Sequence, residues 1–302
     1  MPKKKVGILR GGEGESYITS IAKGGELITF ILEKLSDRWE PFDILIDKSE
    51  VWHMKSLPIK PADLMYRVDI VWNMAHPKFS QILDILSIPN ISASSFSKAL
   101  EDSRGMLEEH LRSAGVNMPK SIIFPIYQED IDGPKEKYID EKTQMVFKKF
   151  GAPWIVRSFV PGSHMGLRVA KTYPDLKEAI AEGVSQGTSI LVEELIDGKV
   201  TALHSVSGFR GDDIYVFPSF GFSPEQNQKL ANFSKNLHKH LGINNYLKSD
   251  IVWHPKRGMY VTAISVSPNL RAGSHFENSS KYVGAEMHHI IEHILEKTLH
   301  RK

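Results

Sequence analysis

The chain has 302 residues, 38 Lys and Arg against 36 Asp and Glu, no cysteine, and 41% hydrophobic residues. That length suits about two domains able to bury their own cores. The lack of cysteine excludes disulfide scaffolds, zinc ribbons, iron–sulfur centres and thiol nucleophiles, and a net charge of +2 excludes the broad basic surface of a general nucleic-acid binder.

The first apolar run is four residues long, too short for a signal peptide, and no stretch approaches the roughly 20 apolar residues of a membrane span. A cytoplasmic protein without nucleic-acid or membrane partners is expected. Residues 6–9 predict a buried strand that ends in Gly11 and Gly12 and turns sharply toward a helix. Residues 18–35 carry Ile21, Leu27, Ile28, Ile31, Leu32 and Leu35 at helical spacing. Strands follow at 42–46 and 69–74, then a helix at 80–86. This alternation predicts a parallel sheet covered on both faces.

A second region opens near Ser97, with a helix over 97–113 stopped by Gly115 and Pro119. A strand at 122–124, a polar stretch at 130–138, a helix at 141–150 and a strand at 154–157 come next. The loop 158–166 leads to a strand at 167–170, and Thr172 is placed to cap a helix over 174–183. The third region reads as strands at 189–194, 201–206 and 214–217, a helix at 224–240, strands at 246–253 and 259–265, and a closing helix at 286–299. The fold class is α/β and α+β, in domains 1–96, 97–187 and 188–302.

Several residues could carry chemistry. Gly11-Gly12 after a strand would let backbone approach an anion, or simply make a tight turn. Gly162 and Gly166 bracket Ser163 and His164, with Arg157 at the root; this suits a lid over phosphates, or an ordinary polar hairpin loop. Glu193 and Glu194 end a strand and could accept from an adenine or ribose group, or sit as solvated edge charges. Asp250 lies on an apolar strand, where an acid needs a cation or donors. His289 and His293 share a helical face; a solvated surface explains them better than a metal. No G-x-S-x-G supports a serine triad.

Taken in order, these pieces resemble the D-alanine–D-alanine ligase family of ATP-grasp enzymes over essentially the whole chain. The resemblance is carried by RGGEGESYITSIAKGG, DIVWNMAHPKFSQILDILSIPNISAS, KALEDSRGMLEEHLRSAGVNMPKS, PWIVRSFVPGSHMGLRV, SILVEELIDGKVTAL and YLKSDIVWHPKRGMYVTAISVSPNL. It implies an N-terminal parallel-sheet (preATP-grasp) domain followed by a two-lobed ATP-grasp fold. ATP would lie between two lobes, phosphorylate one D-alanine carboxylate, and leave an acyl phosphate for a second D-alanine amine, as in peptidoglycan precursor synthesis. Catalysis of this kind is mostly positioning and charge neutralisation.

By that resemblance Ser163, Lys248 and Glu15 are catalytic, and Arg104, Arg157, Gly162, Glu193, Glu194, Leu195 and Ile196 bind ATP. His76 and Ser274 bind amino-acid substrate, and Asp250 is the one retained carboxylate for Mg²⁺; a homodimer is expected. The departures are specific. Ala263 and Ser265 stand where the family has a metal-binding glutamate and an asparagine. Ser16 replaces the glutamate that holds the first substrate's amine, with Glu15 one step off. Lys248 replaces an arginine, and Val200 an acid on the ribose. The lid between Phe217 and Pro224 is reduced to a few residues. These departures keep open two other expectations: an ATP-grasp protein that binds nucleotide or a partner without ligating, or a ligase with a changed substrate.

Overall fold

Alternate residues of a strand point to opposite faces of its sheet, and in the first strand both sets are apolar. The computed structural model describes residues 2–14, 17–159 and 165–300. In chain order they form β1 (Lys4–Gly11), α1 (Tyr17–Lys34), β2 (Trp39–Ile46), β3 (Trp52–Met54), β4 (Leu57–Ile59), β5 (Ile70–Asn73), α2 (Lys78–Ile85), β6 (Asn90–Ile91), α3 (Ser95–Asp102) and α4 (Arg104–Ser113). Next come β7 (Ser121–Phe124), α5 (Glu129–Asp132), α6 (Lys135–Lys149), β8 (Trp154–Ser158), β9 (Arg168–Ala170), α7 (Tyr173–Ser185) and β10 (Ile190–Glu194). The last elements are β11 (Lys199–Ser207), β12 (Ile214–Val216), α8 (Pro224–His240), β13 (Tyr246–His254), β14 (Gly258–Ser265), α9 (His275–Tyr282) and α10 (Met287–Leu299).

The chain divides into two compact units, one of 1–110, 201–251 and 263–302, the other of 111–200 and 252–262. In the first, a six-stranded sheet runs β4-β3-β2-β1-β5-β6. β1 is parallel to β2 and β5, and β5 to β6; β3 and β4 add on antiparallel. Val6, Ile8, Ile70 and Trp72 pack on one face with Leu27 and Ile31 of α1 and Ile290 and Ile294 of α10. Leu9, Ile44, Ile46 and Val71 pack on the other with Phe79 and Leu83 of α2. The covered parallel sheet expected from the sequence is therefore present. Its antiparallel extension was not legible, because β3 and β4 are three residues each and Pro58 interrupts any alternation.

In the second unit an antiparallel sheet runs β7-β10-β8-β9. Trp154, Val156, Ile190 and Val192 bury against Tyr138 and Val146 of α6 and Leu176 and Ile180 of α7. A further four-stranded sheet is ordered β12-β11-β13-β14. Residues 252–262 of its β13–β14 hairpin belong to the second unit, where Val252 and Tyr260 bury with Ile196.

Three local expectations are corrected. The single helix over 97–113 is two helices: Ser103 is extended (φ −113°, ψ 104°) and opens α4, its Oγ accepting from Met106 N at 3.4 Å. A serine that satisfies a first-turn N–H is a helix start, and its backbone ends the helix before it. Helix 141–150 instead begins at Lys135, directly after Pro134, so part of the polar stretch is helical. α9 was not anticipated at all. No helix among the described residues is long and apolar enough to cross a membrane.

Candidate functional site

In the first unit the glycine pair is demanded by backbone packing. Gly11 and Gly12 take φ +89° and +97°, and a Cβ on Gly11 would lie 2.2 Å from the Ile46 carbonyl oxygen. Gly12 N donates to that same oxygen at 2.8 Å, while Gly11 N donates to Ser20 Oγ at 2.9 Å and Ser20 Oγ donates to Met74 O at 2.8 Å. The turn thus ties β1 to α1 and to the residues after β5. There His76 is exposed, its Nδ1 accepting from Lys78 N at 3.1 Å. It borders a cavity of about 110 Å³ that Lys23, Ser97, Lys98, Glu101 and Tyr246 also line.

β13 presents Lys248 and Asp250 two residues apart and therefore on one face. Lys248 Nζ donates to Asp250 Oδ2 at 2.9 Å, each side chain about a third exposed (33% and 32%). Ser265 Oγ donates to Glu101 Oε1 at 2.8 Å, and Glu101 pairs with Lys98 at 3.4 Å. Ala263 is exposed. Ser274 is the N-cap of α9, accepting from Glu277 N at 3.2 Å and donating to Asn269 O at 3.2 Å. Arg104 is buried at the start of α4.

The residues named for Mg²⁺ do not fit that ion. Mg²⁺ is held by carboxylates in an octahedral oxygen shell. Here the one matching carboxylate is already neutralised by an ammonium on its own strand. Ala263 and Ser265 supply no charge, and no group of three His, Cys, Asp or Glu among the described residues could hold a metal.

A histidine pair lies beside these residues that sequence reasoning missed. His204 on β11 is buried, its Nδ1 2.8 Å from Tyr246 Oη and its Nε2 2.9 Å from His275 Nδ1. Burial, with His275 and Lys248 nearby, holds the His204 pKa well below the usual histidine value, and burial raises the Tyr246 phenol well above its own. A polar group on an apolar strand is the signal that singles out Asp250, and His204 carries the same signal on β11. Glu101 gave no such signal.

In the second unit, Arg157 and Glu193 share a face of the sheet, because Leu191 opposes Arg157 and Glu193 follows two residues on. Arg157 Nε donates to Glu193 Oε2 at 3.4 Å, and the Glu193 side chain is 9% exposed. Glu194 points to the opposite face, where Arg257 Nη2 pairs with it at 2.8 Å and the same guanidinium's Cζ lies over the Tyr260 ring, 5.0 Å from its centroid. These acids are therefore not free edge charges. Leu195 N donates to Pro153 O at 3.0 Å, and Ile196 is buried. Glu15, Ser16, Gly162, Ser163 and His164 lie outside the described residues.

The family described as D-ala D-ala ligase C-terminus matches residues 111–208. D-alanine–D-alanine ligase from Carboxydothermus hydrogenoformans is 22% identical, with 96% of this chain and 97% of that protein covered. The Haemophilus influenzae ligase is 23% identical over 55% of this chain and 62% of its own length. The chain is a divergent relative of the D-alanine–D-alanine ligases. Solved structures agree on the fold of this ligase relative. D-alanyl-alanine synthetase A from Vibrio cholerae has a TM-score of 0.71 at 12% identity, covering 100% of both chains. The VanG D-Ala:D-Ser ligase from Enterococcus faecalis has 0.70 at 16%, covering 98% of this chain and all of its own. D-alanine–D-alanine ligase from Bacillus anthracis, complexed with ATP, has 0.65 at 17%, covering 98% and 97%. This ligase relative therefore shares the fold of those structures.

Proposed function

We propose that this protein is an ATP-dependent ligase that joins an amino-acid carboxylate to an amine, with D-alanine the first substrate to try and a D-amino-acid dipeptide of the kind used in peptidoglycan precursors as product. The observation that carries this reading is co-extension. Curated ligases align over nearly the full length of both chains, so the likeness includes the substrate region as well as the nucleotide lobe. In the reaction, a carboxylate oxygen attacks the γ-phosphorus of ATP and ADP leaves. The amine nitrogen then attacks the acyl phosphate carbonyl and gives up a proton, the C–O bond to phosphate breaks, and inorganic phosphate departs with that electron pair and takes up the proton.

In the second unit, Arg157 is assigned to the nucleotide's phosphates, where a guanidinium offsets developing charge. Glu193, held beside it, is the acceptor for an adenine amino group. In the first unit, His76 and Ser274 are assigned to amino-acid substrate. Glu15 and Ser163 keep catalytic assignments on resemblance alone. No step is drawn through a protein-bound Mg²⁺, because Asp250 is committed to Lys248. That pairing is also what favours a second reading, nucleotide binding without ligation.

Purified protein with ATP, MgCl₂ and D-alanine, D-serine, L-alanine and mixtures of these tests both readings. Amino-acid-dependent release of phosphate in equal amount to a dipeptide seen by mass spectrometry is expected. Nucleotide binding by calorimetry with no phosphate release for any amino acid would establish the second reading instead.

A further inference from the structure

The buried end of the His204 chain fixes where its protons are. Tyr246 is 2% exposed, its phenol stays protonated, and His204 Nδ1, 2.8 Å from Oη, is its one hydrogen-bond partner among the described residues, so the buried O–H donates there. A neutral His204 that accepts at Nδ1 carries its proton on Nε2, and that N–H donates to His275 Nδ1 at 2.9 Å. His275 then carries its own proton on Nε2. Ser279 Oγ, one turn along α9, lies 3.3 Å from the same Nδ1. His275 is exposed, and its Nε2 has no hydrogen-bond partner among the described residues. Phe276 packs on His204 at 4.9 Å and on Tyr246 at 5.1 Å, closing the apolar sleeve around the chain.

We infer that His275 Nε2–H is a preset, neutral hydrogen-bond donor for the carboxylate of an amino-acid substrate, a positioning role that rests on the ligase reading. Three arguments support it. The donor direction is set from inside the protein, so no proton has to be rearranged when a ligand arrives. Successive hydrogen bonds in one direction polarise one another, which strengthens the outermost donor. His275 directly follows Ser274, the residue assigned to substrate. Lys248 and Asp250 on β13 face His275 electrostatically with opposite effects, Glu101 of α3 acts on Tyr246, and partial burial keeps the His275 ring on the neutral side. A carboxylate is the ligand class that gains most from such a donor, since hydrogen bonds to an ionised acceptor are the strong ones.

The test uses the full chain labelled with ¹⁵N at histidine. Both His204 and His275 are expected as Nε2–H tautomers at neutral pH, with His204 losing that fixed state in Tyr246→Phe. D-alanine is expected to shift the His275 Nε2 resonance, and D-alaninamide, which lacks the carboxylate, is not. His275→Phe is expected to weaken D-alanine binding roughly ten- to a hundredfold, with partial rescue in His275→Gln, which keeps a donor. His275 protonated at Nδ1 overturns the inference. So does an Nε2 resonance unmoved by D-alanine in protein that forms dipeptide, which leaves the ligase reading standing. A shift with D-alanine in protein that never releases phosphate keeps His275 as a carboxylate donor but ends the ligase reading, and with it the positioning role. Silence in both assays removes both.

Discussion

At the scale of single residues, Gly11 and Gly14 form a natural pair of probes. Both have left-handed backbone, φ +89° and +84°, but a Cβ on Gly14 would meet nothing within 4 Å, while one on Gly11 strikes a backbone oxygen. A non-glycine residue held in that region costs about 1–3 kcal/mol from conformation alone. Gly14→Ala should lose no more than that, and Gly11→Ala distinctly more, because Ile46 O cannot move without disturbing β2. Urea unfolding of the two variants checks the order; equal losses would mean that the β1 turn yields. Asp250 allows a second prediction. A carboxylate already paired at 2.9 Å gains little from a divalent ion. Millimolar Mg²⁺ without nucleotide should raise the melting temperature no more than NaCl of equal ionic strength. A larger rise would reveal a bound ion through its linkage to folding.

At the scale of elements, what the sequence disclosed follows from how each element is stabilised. Helices with both a periodic apolar face and a cap were placed closely: α8 was expected at its observed bounds, and α7 begins where Thr172 Oγ1 accepts from Asp175 N. Elements set by tertiary context were not. β3 and β4 exist because they extend an existing sheet edge, and α9 follows a loop and is marked in the sequence by little more than its cap, Ser274. Of the candidate site, Arg157, Glu193 and Asp250 were legible as charges where charge is costly. Their partners were not, because Arg257 approaches Glu194 from 63 positions away along the chain. The caps allow a direct test. Ser223→Ala removes the acceptor for Gln226 N in α8, and Thr172→Ala that for Asp175 N in α7; each should cost about 1 kcal/mol in urea unfolding. A loss near zero would show that solvent replaces the cap.

At the scale of the whole molecule, buried imidazoles give folding stability a dependence on pH. His204 and His238 are 2% and 0% exposed, and both have pKa values lowered by burial, His238 to about 4. His238 is wired as a neutral ring, with Ser205 Oγ 2.8 Å from Nδ1 and Ser207 Oγ 3.0 Å from Nε2. In the unfolded chain both titrate near the ordinary histidine value of 6.5. Above that value neither state binds the protons, so the histidines do not affect the balance. Below it the unfolded chain takes them up first, and stability falls as pH falls, by up to about 1.4 kcal/mol per pH unit for each ring. His275 and His288, also lowered by partial burial, act in the same direction.

The carboxylates held low by donors, among them Asp47, Asp175, Asp213 and Glu277, start to matter only near and below their ordinary values of 3.8 to 4.5. The window from 6.5 down to about 4.5 therefore belongs mainly to the histidines. The free energy of unfolding should drop by about 2–4 kcal/mol between pH 7 and pH 5. His238→Gln should flatten that slope by nearly half, whatever its effect at neutral pH, because the slope counts protons and not contacts. Urea titrations across the window measure both quantities. A level profile in the unmodified protein would mean that these rings accept protons while folded, and that the buried pairs rearrange to admit charge.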